Sequence, residues 1–195
     1  MSILSDGTID RIGPKIIKPF RRSQVNSGSY DLRLGKTIML LPYGDPKASK
    51  FGPPVDVGDP AFLEKEIASW YEVPLPHTLA GGACALGVTE ESICLPPYLQ
   101  AYVHGKSSIG RLFLQPHMAG LVDPGWEGPL TLELFNARNR GIRLYPGMRI
   151  AQIAFHELDY KATNPYVGHY SYDLSPVPSR YELDEPGPIT ERTYS

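Results

Sequence analysis

Apolar and polar residues alternate along most of this chain in short stretches, each closed by Gly, Pro, Asn or Asp. Side chains of a strand point alternately to its two faces, so a half-buried strand reads as strict alternation. On that basis strands are predicted over SYDLRLG (29–35), KTIMLLP (36–42), GACALGVTE (82–90), ESICLP (91–96), LQAYVHG (99–105), GPLTLELFN (128–136), GIRLYP (141–146) and RIAQIAFHEL (149–158). Helical signal is confined to SDGTIDRI near the start, with Ser5 or Asp6 as N-cap. The 20 prolines and 19 glycines are scattered throughout, a spacing that breaks long helices and spares strands. The expected fold is therefore all-β, a sandwich or barrel-like arrangement, with no internal repeat. Residues 1–163 are expected to form one β domain. From about Asn164 the composition shifts to Tyr, Pro, Ser and Asp, and residues 164–195 read as a tail, either disordered or ordered over a ligand or a neighbouring subunit.

Composition narrows the classes of function. The 19 Lys+Arg and 21 Asp+Glu leave a net charge of -2, which gives no support to a binder of duplex nucleic acid. A local pocket of a few basic groups is invisible in that total, so small anionic ligands stay open. No run has the length of a membrane span, and MSILSDGTID lacks the basic and apolar regions of a signal peptide. A soluble cytoplasmic protein is expected. Cys84 and Cys94 have strand-like apolar neighbours and no His or Cys at metal spacing, so both are expected to be buried free thiols.

The stretch HGKSSIGR invites a reading as the end of a phosphate-binding P-loop. That motif needs a glycine where this chain has Gln100, and the intervening Ala101-Tyr102-Val103-His104 reads as strand, so no backbone nest can form. The densest chemistry runs from Lys106 to Asn136, with Lys106, Ser107, Ser108, Arg111, Asp123, Trp126 and Glu133. Taken singly, the two cations read equally as surface charges, Asp123 before Pro124-Gly125 as a turn initiator, and Trp126 as a packing aromatic. Thr131, Glu133 and Phe135 share one face of their strand and Leu132 and Leu134 the other. Glu133 therefore faces either solvent or a cleft, and only a cleft would tune a carboxyl group to take and return a proton.

ILSDGTI, SYDLRLG, VTEESICLPPYLQAYVHGKSSIGRLFL, AGLVDPGWEGPLTLELFN, YPGMRIAQIAF, NPYVGHYSYD and PSR follow one another in an order that resembles the family uniting dCTP deaminases with trimeric dUTPases. Only residues 43–80 lack a recognisable motif. The resemblance implies a distorted jelly-roll (β-clip) fold and a homotrimer with active sites between subunits. It implies phosphate contacts from Lys106 and Ser108, with Ser107 and Arg111 near the reacting base. Asp123 matches the carboxylate that holds the sugar 3′-hydroxyl and, in dUTPases, positions the attacking water. Trp126 matches the aromatic that packs on the deoxyribose, and Glu133 the deaminases' catalytic carboxylate, where typical trimeric dUTPases are apolar. Further nucleotide contacts are implied for His117, Ala119, Thr131, Gln152, Tyr166, His169 and Asp173.

Deamination of a cytosine needs water to attack C4, a proton to reach the ring and ammonia to leave, and one Glu can carry those protons. The chain has no Cys-x-x-Cys with a nearby His, so no zinc is expected. The AGLVD segment resembles dUTPases and the bifunctional, dUMP-forming deaminases, which implies Mg²⁺ bound with the nucleotide triphosphate. Three positions depart from the family pattern: Lys106 stands for Arg, His169 for Lys and Asp173 for Gln. They leave a monophosphate or a modified pyrimidine nucleotide as other possible ligands. The expected activity is dCTP deamination with hydrolysis to dUMP. A dUTPase without deaminase activity and a non-catalytic nucleotide-binding relative are the alternatives.

Overall fold

The computed structural model describes residues 2–40, 59, 61, 64, 65, 68–117, 120–168, 170 and 174–180. Strand β1 (Ser2–Ile3) leads into helix α1 (Asp6–Ile16), then β2 (Ile17–Lys18), a 3₁₀ turn (Arg22–Gln24), β3 (Val25–Asn26) and the long β4 (Ser29–Leu40). Next come β5 (Tyr71–Pro74), β6 (His77–Leu79), β7 (Cys84–Cys94), β8 (Leu99–Gly105) and a single helical turn, α2 (Ser107–Gly110). The series ends with β9 (Leu114–His117), β10 (Leu121–Val122), β11 (Glu127–Asn136), β12 (Ile142–Leu144) and β13 (Arg149–Glu157). The architecture is the expected all-β, jelly-roll-like one with an N-terminal helix.

Helix α1 extends past the predicted SDGTIDRI to Ile16, with Pro14 inside it. Ile9, Gly13 and Ile16 are its buried residues, and their spacing puts them on one face. Ser5 occupies the N-cap position, but its side chain makes no capping bond. Its carbonyl instead accepts from the Ile9 N–H at 2.9 Å.

The main sheet runs β10-β8-β13-β4-β7-β11-β9, and β12 pairs with β6 apart from it. Two pairs of predicted strands prove to be single strands. SYDLRLG and KTIMLLP join through Gly35 into β4, which pairs with β13 over Tyr30–Arg33 and with β5 over Thr37–Leu40. Its register against β7 shifts between Leu34 and Ile38, so the glycine marks a bend rather than a turn. GACALGVTE and ESICLP likewise join through Glu90-Glu91 into β7, because partners elsewhere in the chain take up those charges. Arg21 pairs with Glu90, while Glu91 accepts from Gln24 Nε2 at 2.8 Å and the Arg33 N–H at 2.8 Å. The predicted strands near 99–105, 128–136 and 149–158 stand almost as read, and GIRLYP is reduced to β12.

One apolar core gathers Tyr30, Leu32, Leu34, Ile93, Leu99, Leu132, Ile153 and Phe155, each at most 1% exposed. Cys84 and Cys94 are free as expected but exposed, contrary to the sequence reading. They sit at the two ends of β7, where the apolar neighbours that suggested burial point to the other face.

Candidate active site

The outer face of β11 forms the floor of a cavity of about 860 Å³. Glu133 and Phe135 stand opposite Leu86 and Cys84 of β7, so all four side chains share one face, and all four line the cavity with Thr131. Leu132 and Leu134 turn the other way and are buried in the core. The strand's alternation thus resolves the two readings of Glu133: its face looks into a cleft. A bulge sets that aim. The β7–β11 register shifts between Pro129 and Thr131, and the Leu130 N–H it displaces donates to Thr89 Oγ1 at 2.9 Å. Thr89, itself buried, donates onward to the Glu91 carbonyl at 2.6 Å.

Asp123 enters the cavity from the turn that follows β10. The Trp126 N–H donates to the Asp123 carbonyl at 3.1 Å across Pro124-Gly125, and Gly125 has φ +92°. Pro followed by a residue of positive φ is a type II turn. A side chain at Gly125 would also press on Pro165, 2.7 Å from the position of its Cβ. That close approach brings in the tail: the Tyr166 N–H donates to the Pro124 carbonyl at 2.7 Å. The Tyr166 ring lies 5.5 Å from that of Trp126, whose Nε1 is fixed by the Gly128 carbonyl at 3.0 Å. Tyr170, Val177, Pro178 and Ser179 close the wall, and the Tyr170 hydroxyl accepts from the Arg180 N–H at 2.7 Å. Cys84 also faces this space. The protein around it pushes the thiol pKa up by desolvation.

Asp123, Trp126, Thr131, Glu133 and Tyr166 therefore come together as the sequence implies. The KSSIGR residues do not join them within one chain. Ser107, Ser108 and Arg111 lie exposed on α2 and just after it, outside the cavity wall. Lys106 Nζ instead holds both carboxylate oxygens of Asp31, at 2.8 and 2.9 Å. His117 is the backbone partner of Glu133 on β9, and Gln152 stands on β13 between His104 and Asp31. The expectations for Ala119, His169 and Asp173 lie outside the described residues.

Sequence reasoning missed three contributors. Trp70 lines the cavity from the segment without motifs; Thr89 and Asp31 act through partners distant in sequence. Among the described residues, no three His, Cys, Asp or Glu side chains converge as a metal cluster. No helix among them is long and apolar enough to cross a membrane.

Comparison with known proteins gives the family. The family model described as dCTP deaminase-like matches residues 3–158. A protein of Aquifex aeolicus named dCTP deaminase, dUMP-forming, is 40% identical over 186 residues, covering 94% of this chain and 97% of that one. Another of the same name from Methanopyrus kandleri is 36% identical over 196 residues, covering 94% and 98%. Among solved structures, the 2′-deoxycytidine 5′-triphosphate deaminase of Agrobacterium tumefaciens superposes with a TM-score of 0.59 at 30% identity. That match covers 78% of this chain and 47% of the other, so the chain spans about half of that deaminase. With the family model matched over residues 3–158 and relatives aligned over nearly its whole length, the chain belongs to the dCTP deaminase-like family.

Proposed function

We propose that this protein converts dCTP and two waters to dUMP, pyrophosphate and ammonia. The observation that carries the reading is Glu133, a carboxylate set between core leucines and turned into a largely apolar cavity that also holds Asp123 and Trp126. In this reading Glu133 takes a proton from the water that attacks C4 and delivers protons to the ring nitrogen and the departing amine. Ser107 orients that water, and Arg111 stabilises the negative charge that develops at the tetrahedral centre. Asp123 holds the 3′-hydroxyl and orients the second water toward the α-phosphorus. Trp126, stacked near Tyr166, packs on the deoxyribose, where a ribose 2′-hydroxyl would clash.

Lys106 and Ser108 belong to the phosphates, and Ser107 and Arg111 reach the base from a neighbouring subunit of a homotrimer. The trimer reading draws support from the cavity, whose wall in one chain lacks all four of these residues. Leu112 and Phe113, directly after Arg111, are 48% and 60% exposed, as expected of residues that meet another subunit. Magnesium would arrive on the triphosphate and supply charge neutralisation to the leaving pyrophosphate. Of the two carboxylates that line the cavity from this chain, Glu133 is assigned to the base, so Asp123 is the hard oxygen donor that would face the metal-bearing phosphates. A cytoplasmic location belongs to the same proposal, since the substrates are free deoxynucleotides.

The test is incubation with dCTP or dUTP in Mg²⁺, following ammonia and pyrophosphate separately. Both products from dCTP are expected. Ammonia without pyrophosphate would reduce the reading to a deaminase alone, and pyrophosphate from dUTP with no ammonia from dCTP would make the protein a dUTPase.

A further inference from the structure

Asp31 is fully buried on β4, yet it holds two cations. Lys106 Nζ reaches Oδ1 and Oδ2 at 2.8 and 2.9 Å, and an Arg149 terminal nitrogen reaches Oδ2 at 3.2 Å. Asn26 Nδ2 donates to Oδ1 at 3.0 Å, and Gln24 Nε2 to the Asp31 carbonyl at 2.6 Å. The carboxylate is thus saturated with donors and fixed at its backbone. Gln24 in turn accepts from Arg33 Nε at 2.6 Å, which ties the cluster to the rest of the sheet.

A buried carboxylate needs one cation for balance, and an apolar replacement often stabilises a fold as well as a buried ion pair does. Here the second cation leaves one net positive charge, and it reaches solvent through Lys106 and Arg149, whose side chains are 25% and 40% exposed. Lysine is a flexible stem bearing a point charge, so its position must be imposed by a partner. The same residue opens α2: the Ile109 and Gly110 N–H groups both donate to the Lys106 carbonyl at 2.9 Å. Pinning its side chain therefore also fixes the turn that carries Ser107, Ser108 and Arg111. Arg149 is anchored at its other end by the Ser23 carbonyl at 3.1 Å.

We propose that Asp31 is a positioning residue that pins Lys106 and Arg149 as a paired cationic platform for the nucleotide's phosphates. This rests on the reading of Lys106 as a phosphate-binding residue. Arg149 becomes a second phosphate-facing cation, and the Lys that stands where the family prefers Arg is compensated by it.

The full-length assembly tests this through competitive inhibition by two probes: inorganic triphosphate, which occupies only the phosphate region, and deoxycytidine, which has no phosphate. Asp31→Asn should weaken triphosphate by about tenfold or more and deoxycytidine by less than about twofold, with the KM for dCTP rising more than kcat falls. Arg149→Met, a change at a part-exposed site that leaves Lys106 on Asp31, should weaken triphosphate by about threefold. Equal weakening of both probes by Asp31→Asn, or loss of thermal stability with an unchanged probe ratio, would make Asp31 merely structural and overturn the proposal. An unchanged triphosphate constant in Arg149→Met would overturn the paired platform, including if Asp31→Asn fails to fold. An unchanged constant in Lys106→Met, with the parent still releasing ammonia, would instead refute the role of Lys106 while leaving the deaminase reading intact.

Discussion

Glu133 is flanked in sequence by leucines that are buried, and it is the alternation of the strand that turns its carboxylate out of the core and into the cavity. Glu133→Gln preserves size and removes the proton carrier. Ammonia release should fall by about 10²- to 10⁴-fold while nucleotide binding stays measurable. Deamination at the parental rate would reassign the proton to another group. Glu91 presents the opposite case, a carboxyl group in the core with no access to the cavity. Burial pushes its pKa up, against the lowering effect of hydrogen bonds from the Arg33 N–H and Gln24. A carboxyl pKa raised by folding means that the folded state holds the proton more tightly. Its stabilising contribution is full below the ordinary carboxylate range and is lost as pH rises through the raised folded value. Glu91→Gln removes that loss, so the Tm of the variant relative to the parent should climb across that window. A difference in Tm that is flat with pH would contradict it. Of the two, only Glu133 was legible in the sequence, because its neighbours define its face. The role of Asp31 was not, since its cations come from 75 and 118 positions away.

At the scale of elements, the strands with long alternation were readable, and their joints were not. Gly35 and Glu90-Glu91 looked like boundaries because glycine and paired charges commonly end strands. The fold uses the first as a bend and neutralises the second with Arg21 and neighbouring polar groups. The short β5, β6, β9 and β10 carry too few residues for a period to emerge, and their registers are set by the strands they join. The bulge before Thr131 was equally invisible, since it depends on Thr89 across the ladder. Thr89→Val keeps the shape but strands the Leu130 N–H and the Glu91 carbonyl. Such a loss costs about 1–3 kcal/mol, and each kcal/mol lowers Tm by roughly 2–4 °C in a chain of this size. Because Glu133 follows the bulge on the same strand, deamination should slow beyond what lost stability explains, by up to about 10²-fold for a shift near 1 Å. A lower Tm with unaltered kcat at a temperature where the variant is folded would show that the bulge does not aim Glu133.

For the whole molecule, the division of chemistry within one chain leads to a prediction about the assembly. The cavity has the carboxylates Asp123 and Glu133, whereas Ser107 and Arg111 lie outside its wall. Alternation left Glu133 facing either solvent or a cleft, and Arg111 read singly as a surface charge; that they belong to one site built between two copies was an expectation from the resemblance alone. If one subunit supplies Glu133 and its neighbour supplies Arg111, then Arg111→Ala and Glu133→Gln each damage every site of their own homotrimer. Subunits mixed in equal amounts, by co-expression or by unfolding and reassembly together, would restore some sites. A site is whole when its Glu133 comes from an Arg111→Ala chain and its Arg111 from a Glu133→Gln chain, so random mixing should recover about a quarter of parental activity in a cyclic assembly. If both residues serve one site from one chain, every site in the mixture stays defective and no activity returns. Measuring ammonia release against the mixing ratio separates the cases, because complementation between neighbours peaks at equal proportions and vanishes at either extreme.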